Sequence, residues 1–153
     1  RAIARKDFKL LTINRANKVC EGVINRFKAK GAIIDYYGVC PHAEPSYANK
    51  KGVSKFHKGL VCNCKCIKPK LGMIMQALSN KGLTYQNTKI YVIGDRASDV
   101  ETAINASGYG IYVPFKGEPQ TDQIQALKNK YPKQIYIAKN FLDAAKHIAG
   151  KEK

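Results

Sequence analysis

Apolar positions along this chain recur at two spacings, one helical and one extended. Between residues 8 and 30, Phe8, Leu11, Val19, Val23, Ile24 and Phe27 fall at helical intervals, and Gly31 follows as a stop. Ile33-Ile34-Asp35-Tyr36-Tyr37 then reads as a strand, because β-branched and aromatic side chains suit a pleated surface. From Cys40 to Pro69 no period is visible, and a loop of that length in a compact domain has to be stapled or functional. Regular spacing returns at Gly72–Asn80, a predicted helix with Met73, Ile74, Ala77 and Leu78 apolar and Gly82 as its stop. Lys89-Ile90-Tyr91-Val92-Ile93 is a short apolar run of the buried parallel type. A helix over about 97–107 closing on Gly108, a strand at Tyr109–Val113, a helix at 121–130, a strand at Gln134–Ala138 and a helix at 140–149 complete the series. The alternation predicts an α/β fold with a parallel sheet.

Length and composition narrow the class. At 153 residues with 44% hydrophobic and 25% charged residues, the chain is one globular domain's worth, residues 1–153. No stretch approaches the roughly 18 apolar residues of a membrane span, so no membrane partner is expected. The opening Arg1-Ala2-Ile3-Ala4-Arg5-Lys6 has neither an apolar signal core nor an initiator Met, and reads as a processed, trimmed or incomplete sequence. The five cysteines, Cys20, Cys40, Cys62, Cys64 and Cys66, are odd in number and clustered, which predicts a reduced, cytoplasmic protein with a metal site rather than a disulfide framework.

Charge adds a direction. The net charge is +16, with 16 basic against 4 acidic residues up to residue 70 and 11 against 7 beyond it. Such a field attracts phosphorylated substrates, nucleic acid or other anions; the plainer alternative is a solvated Lys-rich surface. The lysines are scattered and no RNA-recognition or helix-turn-helix signature accompanies them, so nucleic acid is the secondary expectation.

Two clusters carry chemistry. Cys40-Pro41-His42 and Cys64-Lys65-Cys66 supply thiolates and an imidazole within loop 40–69, a donor set for Zn²⁺. With Cys40, His42, Cys64 and Cys66 all engaged, the zinc would be structural, replacing a core the loop lacks. Cys62 is a substitute ligand or a neighbour of the site, and a chance cluster of free thiols is the alternative. Gly94-Asp95-Arg96-Ala97-Ser98-Asp99 lies where a parallel strand meets a helix, the place where open α/β sheets bind ligands. Asp95 there can hold Mg²⁺, and Asp99, one turn on, can brace it. A simple Gly-Asp turn with an N-capping acid is the alternative. Lys68, in Ile67-Lys68-Pro69-Lys70, is suited to a phosphoryl group or is a solvent-facing loop lysine.

Together, Cys40-Pro41-His42, the run Cys64–Met73 and Val92-Ile93-Gly94-Asp95-Arg96-Ala97-Ser98-Asp99 resemble the haloacid-dehalogenase phosphatase superfamily. The similarity is to its D-glycero-D-manno-heptose 1,7-bisphosphate phosphatase branch, with histidinol-phosphate phosphatases as neighbours. That branch shows C-P-H, then C-x-C-R-K-P-x-P-G-M, then G-D-x-x-x-D, and Ala2-Ile3-Ala4-Arg5 is similar to its S-G-I-A-R segment. The resemblance implies a Rossmann-like parallel sheet with a zinc loop, structural Zn²⁺ on Cys40, His42, Cys64 and Cys66, and catalytic Mg²⁺ on Asp95. It further implies a phosphate-binding Lys68 and a supporting Asp99. Ile67 stands where the family has Arg, which removes a bidentate phosphate contact, and Leu71 stands where it has Pro.

The resemblance also implies a nucleophilic Asp in a D-x-D-G-T motif, yet no Asp-x-Asp occurs in the sequence. On this reading the chain begins after that motif and lacks the family's first two strands, so an upstream segment or complementary chain supplies them. The implied activity is hydrolysis of a phosphorylated sugar through an aspartyl-phosphate, with residues 1–153 inactive alone. The rival expectation is a catalytically inactive, basic scaffold or RNA-associated subunit.

Overall fold

The computed structural model describes residues 3–7 and 11–152. The chain forms two compact units, one of residues up to Ile67 together with Gly72–Gly82, the other of Lys68–Leu71 together with Leu83 onward. Among the described residues no helix is long and apolar enough to cross a membrane.

The first unit opens with helix α1, Ile13–Lys28. Thr12 caps it, its hydroxyl accepting the Arg15 N–H at 3.2 Å. At the other end Gly31 has φ +79°, and the Gly31 and Ala32 amides close back on Lys28 and Phe27. This left-handed closure is why the sequence signals a stop there. The helix thus starts later than residue 8; Arg1, Ala2 and Phe8 lie outside the described residues.

The segment 33–37 forms no strand, and Ile33 is 85% exposed. High β-propensity describes side chains that fit a sheet, and a strand still needs a hydrogen-bonded neighbour. The stretch from Cys40 to Pro69 is more ordered than its aperiodic sequence predicts. It holds helix α2, Pro45–Lys51, and two 3₁₀ turns, Val53–Lys55 and Lys58–Leu60. Ala4, Ala43, Ala48 and Phe56 are buried together, with Tyr47, Leu60 and Val61 against them. Backbone pairing knits this small core: the His57 N–H donates to Ala4 O at 2.9 Å, and the Lys6 N–H to Lys55 O at 2.8 Å. Helix α3, Gly72–Asn80, has the predicted bounds, and Gly82 leaves it at φ +65°.

The second unit is a three-stranded parallel sheet in the order β1 (Tyr91–Gly94), β2 (Tyr109–Tyr112), β3 (Ile135–Ile137). Tyr91 lies opposite Tyr109, and Ile111 opposite Tyr136. One face buries Tyr112 and Ile135 against Ala97 and Val100 of helix α4 (Ala97–Asn105) and Ile124 of helix α5 (Thr121–Lys130). The other face packs Ile111 with Ala138 and with Ala144 of helix α6, Phe141–Lys151. These faces follow from the period of two along each strand. The α/β class and parallel sheet expected from the sequence are therefore present.

Helix α4 ends in an unexpected way. Ser107 takes the left-handed conformation at φ 49°, while the Gly108 N–H reaches Ala103 O at 2.8 Å. Gly108 is needed for a different reason: a Cβ there would lie 2.4 Å from the Ile90 carbonyl oxygen, the same oxygen that accepts the Tyr109 N–H. Any side chain at 108 pushes β2 away from the start of β1. Gly108→Ala is expected to destabilise the protein by about 1–3 kcal/mol. A urea unfolding midpoint unchanged from wild type would contradict this packing.

Candidate functional site

Four side chains of the first unit converge. The Sγ atoms of Cys40, Cys64 and Cys66 and a ring nitrogen of His42 all lie within 4.8 Å of one another. Cys66 Sγ is 3.0 Å from Cys40 Sγ, 3.2 Å from Cys64 Sγ and 3.5 Å from His42 Nδ1, and Cys40 Sγ is 3.8 Å from that nitrogen. Ligands about 2.3 Å from a tetrahedral zinc stand about 3.8 Å apart, so the cluster needs only slight expansion to take the ion. Both the donor set and the spacing fit Zn²⁺, and no fifth protein ligand is required.

Local backbone explains the convergence. Ala43 and Val61 form a parallel bridge; the Ala43 N–H donates to Leu60 O at 2.9 Å and the Cys62 N–H to Ala43 O at 3.0 Å. This pairing brings Cys40-Pro41-His42 alongside the segment leading to Cys64 and Cys66. Cys62 serves the bridge through its backbone and is not one of the four clustered side chains. Beyond Cys66, the Gly72 N–H donates to Lys65 O at 2.9 Å, where a Cβ on Gly72 would come within 2.4 Å of that oxygen. Glycine is thus required to close the Lys65–Gly72 loop.

The thiols share protons unequally. Burial opposes a Cys64 thiolate, but hydrogen bonds from the Cys66 thiol and from the Cys66 and Ile67 backbone outweigh it and bring Cys64 down to about 6. Burial and the Cys40 and Cys64 sulfurs push Cys66 up to about 12. Of this pair, Cys64 releases its proton readily and Cys66 keeps its own until a cation balances the charge.

In the second unit, the turn after β1 organises a carboxylate. Asp99, at the third position of α4, is 4% exposed. Its Oδ2 accepts the Arg96 N–H at 3.1 Å, half of a capping box, and its Oδ1 accepts the Lys68 ammonium. Gly94 makes this possible: a Cβ there would lie 2.2 Å from Asp99 Oδ2. Asp95, directly at the carboxyl end of β1, is instead exposed, with the Arg96 guanidinium 3.7 Å from Oδ2. The structure therefore joins Lys68 to Asp99 and leaves the Asp95 carboxylate open to solvent. An oxygen donor of that kind fits Mg²⁺, which binds through one or two carboxylates plus water and phosphate oxygens.

Two supporting residues carried no sequence signal. The Gln120 side-chain oxygen accepts the Ala97 N–H at 2.7 Å, and the Gln120 N–H donates to the Tyr112 hydroxyl at 2.9 Å. They fill an orphan donor at the start of α4 through contacts distant in sequence. Arg96 is also held, pairing with Glu118 at 2.7 Å.

The sulfur-rich cluster makes a spectroscopic prediction. Co²⁺ is expected to bind one-to-one with the intense absorption of tetrahedral thiolate coordination, and Zn²⁺ to displace it. Cys66→Ser is expected to weaken binding by roughly 100-fold or more, while Cys62→Ser leaves it unchanged. Equal losses in both variants would contradict the assigned ligand set.

No family model matches the chain. It is 35% identical over 95 residues to the histidine biosynthesis bifunctional protein HisB of Blochmanniella floridana, covering 62% of this chain and 22% of that protein. The corresponding HisB of Buchnera aphidicola subsp. Baizongia pistaciae is 33% identical over 121 residues, 78% of this chain and 29% of the relative. The D-glycero-alpha-D-manno-heptose-1,7-bisphosphate 7-phosphatase of Campylobacter jejuni is 26% identical over 112 residues, 73% of this chain and 54% of the relative. The chain thus spans about half or less of the length of these curated relatives. Similarity to both kinds of protein, in a chain whose Cys/His cluster and Gly-Asp turn stand where the sequence motifs put them, bears out its resemblance to the haloacid-dehalogenase-type phosphatases.

Proposed function

We propose that the complete protein is a Mg²⁺-dependent phosphatase that removes a phosphoryl group from a phosphorylated sugar of the heptose-bisphosphate type. The observation that carries this reading is the Lys68–Asp99 ion pair at the start of α4, beside the carboxyl end of β1. Asp99 is buried and Lys68 remains 44% exposed, so the carboxylate anchors the ammonium while leaving it accessible to an incoming anion. A fixed cation beside transferring phosphate oxygens stabilises the charge that develops there. Asp95 would hold the magnesium ion, which when bound supplies further neutralisation of phosphate charge.

Attack on phosphorus requires a nucleophile, and no Asp-x-Asp pair occurs in the 153 residues. In the proposed enzyme an aspartate outside this sequence forms the aspartyl-phosphate, and water then releases phosphate. The strands that carry that aspartate would complete the Rossmann-like sheet of the family. Residues 1–153 would form one phosphatase domain with it. The zinc centre is structural on this reading, with all four positions filled by protein.

Substrate choice shows a departure. Ile67, where the family has Arg, is 6% exposed and belongs to the apolar interior. It offers no fork of donors to a second phosphate, so specificity is expected to differ from the family's bisphosphatases.

The test is a phosphatase assay on sugar mono- and bisphosphates, with residues 1–153 alone and joined to a D-x-D-G-T segment. Turnover is expected only in the joined form and only with Mg²⁺. Lys68→Ala and Asp95→Asn are each expected to lower kcat by roughly 100-fold or more. Unchanged kcat in both variants, or no hydrolysis of any sugar phosphate by the joined form, would overturn the assignment.

A further inference from the structure

The second unit carries a cleft of about 230 Å³ that the chemistry above does not use. It lies at the amino ends of β2 and β3, opposite the strand ends that lead to Asp95. Tyr109 and Gly110 line it from β2, Lys128 and Lys133 come from α5 and the turn after it, and His147 and Lys151 come from α6.

Among the described residues no carboxylate lines this cleft. Of the neighbouring acids, Asp143 faces the lining residues Tyr136 and His147, whereas Glu152 is paired outside the cleft. Asp143 accepts the Tyr136 hydroxyl at 3.3 Å and the Lys139 N–H at 2.9 Å. Glu152 takes the Lys89 ammonium at 2.9 Å and the Tyr91 hydroxyl at 2.6 Å. Among the described residues, none of Lys128, Lys133 and Lys151 has a carboxylate partner.

The walls are held by ring stacking. His147 lies flat on Tyr136, with centroids 3.7 Å apart and planes 2° from parallel. Lys151 sits 4.4 Å from the Tyr109 ring centroid, and Tyr109 stacks on Tyr91 at 5.2 Å. A ligand therefore meets cationic groups on a pre-ordered aromatic frame, which lowers the ordering cost of binding.

Helix ends alone do not account for the cations. Helices α5 and α6 both terminate here, and each C-terminus carries about half a negative charge. Together they balance about one ammonium and Asp143 a second, and the three lysines leave a surplus of about one positive charge. A phosphate monoester carries about −1.5 to −2 near neutral pH. We propose that this cleft binds the phosphate group of a small phosphorylated molecule between Lys128, Lys133 and Lys151, independently of Lys68 and Asp95.

The test is titration of the ¹⁵N-labelled chain with inorganic phosphate at ionic strength held constant with chloride. The Gly110, Gln134 and Lys151 amides are expected to shift along one saturable curve, which Lys68→Ala leaves unchanged. The double variant Lys133→Glu/Lys151→Glu is expected to weaken that curve by roughly tenfold or more, with an intermediate loss in Lys133→Gln/Lys151→Gln. Both lysines are exposed, so the remaining amide spectrum serves as the folding control. Linear, non-saturating shifts would overturn the proposal, as would saturation that survives the double Glu variant.

Discussion

A carboxylate withdrawn from water is the constraint around which the candidate catalytic turn is built. An uncompensated buried charge costs several kcal/mol, so Asp99 is stable in its position only because Lys68 and the Arg96 amide meet its two oxygens. That requirement propagates outward. It excludes any side chain at residue 94, it holds Arg96 extended at the start of α4, and it fixes the lysine of the Ile67-Lys68-Pro69 segment beside the β1–α4 junction. Gln120 and Tyr112 then satisfy the next free donor of the helix. One polar contact thus sets the positions of several groups on which phosphoryl chemistry would draw.

The metal cluster answers a different physical problem. The buried cluster beside it holds three alanines and one phenylalanine among the described residues, a core with little apolar area to offset the entropy of ordering so long a segment. A tetrahedral ion held by Cys40, His42, Cys64 and Cys66 would supply that missing stabilisation as binding free energy. The unequal thiols mark the same need from the electrostatic side, since sulfurs this close cannot all ionise without a cation.

Much of this was legible from residue order, for reasons that differ by element. Helices α3 and α5 match their predicted bounds because periodicity and stop residues are local signals. The three parallel strands were visible as short apolar runs between helices. The zinc donors were visible because two short motifs fix their spacing. Tertiary contacts account for what was not. Residues 33–37 look like a strand, but pairing is decided by neighbours rather than by propensity. Helix α2 was hidden in a stretch whose apolar residues face a tiny core instead of a long stripe. The sequence placed Asp95 and Asp99 one turn apart, yet which of the two meets Lys68 depends on the absence of a Cβ at Gly94. Gln120 had no signal at all, because its partners lie far from it in the chain.

The central claim is that Lys68 and Asp99 act as one coupled unit. A double-mutant cycle on urea unfolding, using Lys68→Met, Asp99→Asn and the pair, measures that coupling directly. With one partner buried and the other half exposed, the interaction energy is expected to be about 1–3 kcal/mol. Additive effects, with a coupling within about 0.3 kcal/mol of zero, would contradict the account.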